Sequence, residues 1–228
     1  MNNELSLRLK ACLDSLYPLQ TVADIGTDHA YLPCIGILTK QIKHAIAADI
    51  GKGPLKYAEL TINRYQLSKQ VELRLGAGLS VLSPGEVEGI VIAGMGGKLI
   101  ESILEEDSSL TKSFKRLILQ PNIDPHLVRK WLKNNSFQIV EEKIISEDQK
   151  YYEIIVAEPT TEIINYTEED LEYGPILRKN PNDQIFREKW EKKLTKIEEI
   201  LKSLPKNNPR FEIFEKKRKE IKEVLNSC

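Results

Sequence analysis

The chain has 228 residues, enough for one sizeable domain and a smaller appendage, and its 41% hydrophobic content suits a packed core rather than disorder. A formal net charge of -1 excludes a general attraction to nucleic acid, so any such contact has to come from local segregation of charge. Cys12, Cys34 and Cys228 are scattered, as are His29, His44 and His126, which argues against a zinc site or a disulfide framework; no metal is expected. The start, Met1-Asn2-Asn3-Glu4, has no basic region leading into an apolar stretch, and no later run approaches a membrane span. The expectation is a soluble cytoplasmic protein with no membrane partner.

Residues 4–16 place Leu5, Leu9, Cys12, Leu13 and Leu16 on one helical stripe. Short β-rich runs then recur at 21–25, 44–48, 71–75, 89–93 and 116–120. Helical periodicity fills the intervals near 32–40, 54–67, 96–106 and 125–134. Strands and helices alternating at these lengths predict an α/β fold with parallel pairing and helices on both faces. Two more apolar segments, 137–145 and 151–157, are separated only by the polar stretch 146–150, a spacing that suits an antiparallel hairpin.

After Pro159 the composition changes. Residues 182–203 and 210–226 are charged, helix-forming stretches separated by a Pro/Asn-rich turn. Ile185, Trp190, Leu194, Ile197, Ile200, Leu201 and Leu204 make one apolar stripe; Phe211, Phe214, Ile221, Val224 and Leu225 make another. The pattern predicts a coiled-coil-like helical hairpin, and a division into a cofactor-binding domain at 1–159 and a helical arm at 160–228. The stripe can be buried within one chain, so a monomer is expected.

The first strand ends in Asp24-Ile25-Gly26-Thr27-Asp28-His29, where open α/β sheets bind ligands. Gly26 permits a tight turn and a close approach to a ligand. A dinucleotide fingerprint requires a second glycine where this chain has Asp28, and an anion beside a pyrophosphate is unfavourable. S-adenosylmethionine (SAM) carries a sulfonium and an ammonium instead, which Asp24 and Asp28 can accommodate. Asp49 ends the second strand 23 positions after Gly26, where a carboxylate can accept from both ribose hydroxyls. Ile50 is placed to lie against the adenine, and Gly76-Ala77-Gly78 forms a loop beside it. A lone Asp-x-Gly is common and Asp49 alone could cap a helix; occurring at the ends of successive strands, together they favour a nucleoside cofactor. His29 reads equally as a backbone-bonded loop histidine or as a ligand contact.

The fourth strand runs into Ala93-Gly94-Met95-Gly96-Gly97-Lys98, whose glycines leave the floor of a cleft open. The spacing is not that of a phosphate-binding Walker loop, and the Asn-Pro-Pro-aromatic motif of exocyclic-amine methyltransferases is absent. A ring nitrogen or another acceptor is therefore favoured. Met95 is open to two readings, core packing and substrate contact.

Taken with Ala30-Tyr31-Leu32-Pro33, Lys52-Gly53-Pro54, Gln120-Pro121-Asn122 and Tyr152-Glu153-Ile154-Ile155, these motifs resemble the bacterial tRNA (adenine-22 N1)-methyltransferase family. The resemblance runs from the N-terminal helix to the C-terminal hairpin. It implies a class I methyltransferase Rossmann-like sheet, parallel strands closed by an antiparallel hairpin, with SAM as methyl donor and tRNA as partner. The implied cofactor contacts are Asp24, Gly26, Thr27, His29, Pro33, Asp49, Ile50, Gly76, Ala77, Gly78 and Gly94. One departure stands out: Ala77 occupies a position where the family usually has an acidic or amide residue that would bond the adenine amino group.

Adenine N1 has an in-plane lone pair, so direct displacement at the sulfonium methyl needs alignment more than a strong base. N1 lies on the pairing edge, so the base has to be flipped out. Asp28, His29, Tyr31 and Met95 are expected around it, with Asp28 accepting from the exocyclic amine. For RNA, residues 206–222 hold seven basic residues against three acidic ones. Lys206, Arg210, Lys216, Lys217, Arg218 and Lys219 are the expected phosphate contacts, with Arg8, Arg129 and Lys130 as further candidates. An isolated run of this kind is more often a solvated helix face. Two alternatives stay open: a class I methyltransferase for another substrate, and an inactive RNA-binding protein that retains the fold.

Overall fold

In the computed structural model, which describes residues 5–226, the β-branched and small apolar runs become strands flanked by helices. They are β1 (Thr21–Ile25), β2 (His44–Asp49), β3 (Val71–Leu75), β4 (Gly89–Gly96) and β5 (Arg116–Ile123), followed by the hairpin β6 (Phe137–Glu147) and β7 (Lys150–Pro159). One seven-stranded sheet results, in the order β3-β2-β1-β4-β5-β7-β6. The first five strands pair in parallel, and β7 is antiparallel to both β5 and β6. Central strands buried on both faces have no polar side to show, which is why they read as continuous apolar runs.

Helices α1 (Leu7–Asp14), α2 (Tyr31–Leu38) and α3 (Lys52–Arg64) follow the expected intervals, as do α4 (Gly97–Glu106) and α6 (Pro125–Asn134). Met1–Glu4 and Cys228 lie outside the described residues, so the predicted start of the first helix at residue 4 does too. One core joins Ile25, Ile90, Ile92, Ile100, Leu117 and Leu132. The opposite face of the sheet buries Cys12, Leu13 and Leu16 of the N-terminal segment against Val22, Val91, Ile118 and Ile154. Burial pushes the Cys12 thiol up to about 12, which makes it a core side chain and not a nucleophile.

Two short helices were not apparent in the periodicity. Asp107 caps α5 (Ser108–Ser113) by accepting from the Leu110 N–H at 2.8 Å. Thr167 and Asp170 form a reciprocal capping box on α7 (Glu168–Tyr173). Each helix is six residues long, too short for a 3.6-residue repeat to show.

The helical hairpin consists of α8 (Gln184–Ser203) and α9 (Pro209–Asn226). Its apolar stripes meet in a cluster of Phe186, Trp190, Ile197, Ile221, Val224 and Leu225, which also takes in Ile144 of β6 and Tyr173 of α7. The segment between β7 and α8 closes on the sheet: Tyr166 accepts from the Ile139 N–H at 3.0 Å, and Glu142 accepts from the Ile176 N–H at 2.8 Å.

Arg129 departs from expectation. Its side chain is fully buried, bonded to Glu142 at 2.7 Å and to Glu153, so it cannot face RNA. The apolar residues of α6 turn its face inward, and Arg129 goes with them. Lys130, the neighbouring candidate, stays exposed. Burial opposes the charged form of Glu153, yet Arg129 and Lys189 together hold it down to about 2. Its contribution to stability is therefore complete above its ordinary value of 4.5 and is lost as the pH falls towards 2. Arg129→Ala removes the guanidinium shared by two buried carboxylates, and we expect a loss of about 3–5 kcal/mol in urea unfolding at neutral pH. A loss below about 1 kcal/mol contradicts this assignment.

Candidate active site

The chain order around the sheet reverses between β1 and β4, and the crevice outside their carboxyl ends is where a ligand fits. Two cavities open there, of about 740 and 390 Å³, and they share Gly26, Asp49 and Met95. The larger is lined by Ile25, Ala48, Ile50 and Gly76–Gly78 on one side and by α4 on the other. The smaller is lined by Asp24, Thr27, Asp28, His29, Tyr31 and Gly94, with Arg8 and Asn122 completing its wall.

All four expected substrate-facing residues, Asp28, His29, Tyr31 and Met95, line the smaller cavity. Of the expected cofactor contacts, only Pro33 lines neither cavity; it is buried in the first turn of α2. Asp28 and Ala30 both have positive φ, at 52° and 54°, so the loop coils tightly around Thr27. Gly26 has φ 78°, and a Cβ there would collide with Met95 Cε. The turn after β1 and the end of β4 therefore pack closely, and the positive φ at Gly26 favours glycine.

Asp24 is buried, and Thr27 Oγ1 donates to its Oδ2 at 2.6 Å. Burial raises its carboxyl to about 6, against the Thr27 bond, and nearby Asp49 raises it further. A buried acid with an acidic neighbour is stabilised in its charged form by a cation in the adjoining cavity. Asp49 Oδ1 accepts from the Gly51 N–H at 2.7 Å, which fixes the carboxylate at the junction of the two cavities.

The floor of the cleft is more ordered than a glycine-rich loop suggests. β4 continues through Gly94-Met95-Gly96 and pairs irregularly with Pro121 and Ile123 of β5. Pro121 has no N–H to donate. Its neighbours compensate: Gln120 Oε1 accepts from the Gly94 N–H at 3.0 Å, and Asn122 Nδ2 donates to the Gly94 carbonyl at 2.7 Å. Arg8 donates to the same Gln120 oxygen at 2.6 Å, which places Arg8 in the cavity wall.

His29 lies between Tyr31 and Tyr57, with ring centroids at 5.5 and 5.1 Å. Tyr57 on α3 was not singled out from the sequence, where it reads as an ordinary surface helix residue. The α4 wall was missed too. Glu106 Oε2 lies 2.6 Å from where a Cβ on Gly78 would be, directly across from the Ala77 loop. Among the expected RNA contacts, Lys206, Arg210, Lys216 and Lys219 are exposed, whereas Lys217 pairs with Glu172 at 2.6 Å and Arg218 with Glu215 at 2.6 Å.

Among the described residues no cluster of His, Cys, Asp or Glu could hold a metal ion, and no helix is long and apolar enough to cross a membrane. The cleft offers a buried acid rather than a phosphate cradle, and it has a nucleoside-sized chamber on one side. On this sheet those features define a class I SAM-dependent methyltransferase.

Comparison with known proteins narrows the class. The model of the TrmK family, tRNA (adenine(22)-N(1))-methyltransferase, matches residues 22–227. A Bacillus subtilis tRNA (adenine(22)-N(1))-methyltransferase is 37% identical over 205 residues, covering 88% of this chain and 86% of its own. A Streptococcus pneumoniae structure solved with S-adenosyl-L-methionine is 36% identical, with a TM-score of 0.88 over 98% of this chain and 100% of its own. Mycoplasma capricolum TrmK with S-adenosyl-homocysteine is 25% identical, with a TM-score of 0.88 over 97% of this chain and 98% of its own. The chain belongs to the tRNA (adenine(22)-N(1))-methyltransferase family.

The state of Asp24 gives a direct test of the cofactor site. Below about pH 6 the acid is protonated in the free protein, and a cationic ligand has to displace that proton. SAM affinity, measured by calorimetry, should fall about tenfold per pH unit below 6. Asp24→Asn should bind weakly at all pH values and lose this dependence. A flat wild-type profile between pH 5 and 7 contradicts a role for Asp24 as the cation's partner.

Proposed function

We propose that this chain transfers the methyl group of SAM to N1 of adenine 22 in tRNA, with the target base flipped into the smaller cavity. The observation that carries the reading is the continuity of the two cavities through Gly26, Asp49 and Met95 in a chain of this family. It gives the nucleoside end of the cofactor one chamber and the reacting end the other.

SAM supplies an electrophilic methyl on a sulfonium; the chain supplies alignment and charge. Asp49 accepts from the ribose hydroxyls, and Asp24 faces the ammonium. Ile50 and the Gly76–Gly78 loop hold the adenine, and Glu106 accepts from its amino group across the chamber in place of the side chain Ala77 lacks. Tyr31 and His29 give the flipped base a stacking surface at the mouth of the smaller cavity. Asp28, whose side chain is 69% exposed, accepts from the exocyclic amine. As N1 attacks, positive charge develops on the ring, and a carboxylate at Asp28 stabilises it. No strong base is required, because the N1 lone pair is free.

The basic positions Lys206, Arg210, Lys216 and Lys219 contact tRNA phosphates, and the enzyme acts as a monomer in the cytoplasm. The substrate reading is tested by incubating the chain with labelled SAM and unmodified tRNA, followed by nucleoside analysis. The expected product is 1-methyladenosine; another methylated nucleoside, or none, contradicts it. In the same assay Asp28→Asn should lower kcat about 10- to 100-fold and leave SAM affinity unchanged. Wild-type turnover by that variant removes Asp28 from the mechanism.

A further inference from the structure

A third cavity, of about 530 Å³, lies between α8 and the turn of the β6–β7 hairpin. Lys189, Lys192, Lys193 and Lys196 fall at i, i+3, i+4 and i+7, one face of α8, and all four line it. Lys150, Tyr151 and Tyr152 form the opposite wall, and no carboxylate lines the groove.

The charge in this groove is only partly spent. Lys189 bonds Glu153, and Lys193 reaches Glu172 at 3.4 Å. Lys192 lies 5.6 Å from the centre of the Tyr151 ring. Among the described residues, Lys150, Lys192 and Lys196 have no ion-pair partner. The basic run on α9 is different: Lys216, Lys217, Arg218 and Lys222 each pair with a glutamate, at 3.8, 2.6, 2.6 and 2.8 Å. Among the described residues Lys206, Arg210 and Lys219 are unpaired too, but Lys192 and Lys196 of α8 and Lys150 of β7 are gathered in one groove against the sheet.

The groove also adjoins the smaller cavity of the cleft. Asn122 lines both, and Arg8, in the wall of the smaller cavity, lies 5.5 Å from the centre of the Tyr152 ring. Lysines unmatched by acid, beside two tyrosine rings, suit a single nucleic-acid strand: phosphates for the cations and a base face for a ring.

We propose that this groove binds the tRNA strand flanking the flipped adenine, with Lys150, Lys192 and Lys196 on its phosphates and a tyrosine ring against a neighbouring base. The proposal rests on the tRNA reading above. It gives α8 the main strand contact and leaves the α9 run a secondary one.

The test uses the full chain, an unmodified tRNA transcript and the double variant Lys192→Ala/Lys196→Ala, with Lys216→Ala/Lys219→Ala for comparison. The α8 variant should weaken tRNA binding roughly tenfold or more near 0.1 M salt and flatten the log–log salt slope by about 1.4–1.8. Its kcat at saturating tRNA and its SAM affinity should match wild type, which also reports an intact fold. Lys150→Ala, on the opposite wall, should act in the same direction with a slope change of about 0.7–0.9. The α9 variant should lose less than the α8 variant. If wild type methylates tRNA while the α8 and Lys150 variants bind it with unchanged affinity and slope, the groove assignment is overturned alone. If wild type neither binds nor methylates tRNA, the substrate reading falls and takes the groove with it.

Discussion

The site depends on one close approach, that of the Met95 methyl to Gly26. The sheet order places β1 beside β4, so the loops leaving these strands face each other across the crevice. A Cβ at 26 would displace the Met95 methyl, the free end of a flexible side chain, and the φ of 78° there disfavours residues other than glycine. Met95 packs against the turn after β1 and the core and also lines both cavities. Gln120 and Asn122 hold the other side of that strand by bonding the Gly94 peptide at both ends. The floor of the cleft is thus held from β1 and from β5, although it is built largely of glycine.

A second set of contacts ties the helical hairpin to this frame. Glu153 of β7 bonds Arg129 of α6 through one oxygen and Lys189 of α8 through the other. Buried charges joined in this way are costly to separate, so α8 has a defined position against the hairpin. Lys189 is also the first residue of the lysine face that lines the groove. The same ion network, structural in its buried half, therefore orients through its outer end the lysine face of α8 that lines the proposed groove.

Much of this was legible in the sequence. β1 and β3 have the bounds that their β-rich runs predict, and α6 matches residue for residue: β1 is buried from Val22 onward, β3 alternates Val71, Leu73 and Leu75 with charged residues, and α6 has one apolar side. The position of the cleft was legible because Asp24, Gly26 and Asp49 stand at the ends of successive strands, and all three line it. What the sequence hid depends on which residues meet in space. Arg129 reads as a surface cation until Glu142 and Glu153 are seen to close around it. The α9 run reads as basic until glutamates from α7, α8 and its own turns are counted against it. Glu106 and Tyr57 lie on helices distant in sequence from the loops they face, so no local pattern marks them.

In the proposed reaction the smaller cavity presents adenine N1 to the methyl donor by alignment. Replacing adenine 22 of a tRNA transcript by 1-deazaadenine substitutes a C–H for that one nitrogen and leaves the base's shape and amine in place. Methyl incorporation from labelled SAM into this transcript measures the claim directly. Binding close to that of the natural transcript with no methyl transfer is expected, and transfer at a rate comparable to the natural base would contradict N1 as the acceptor.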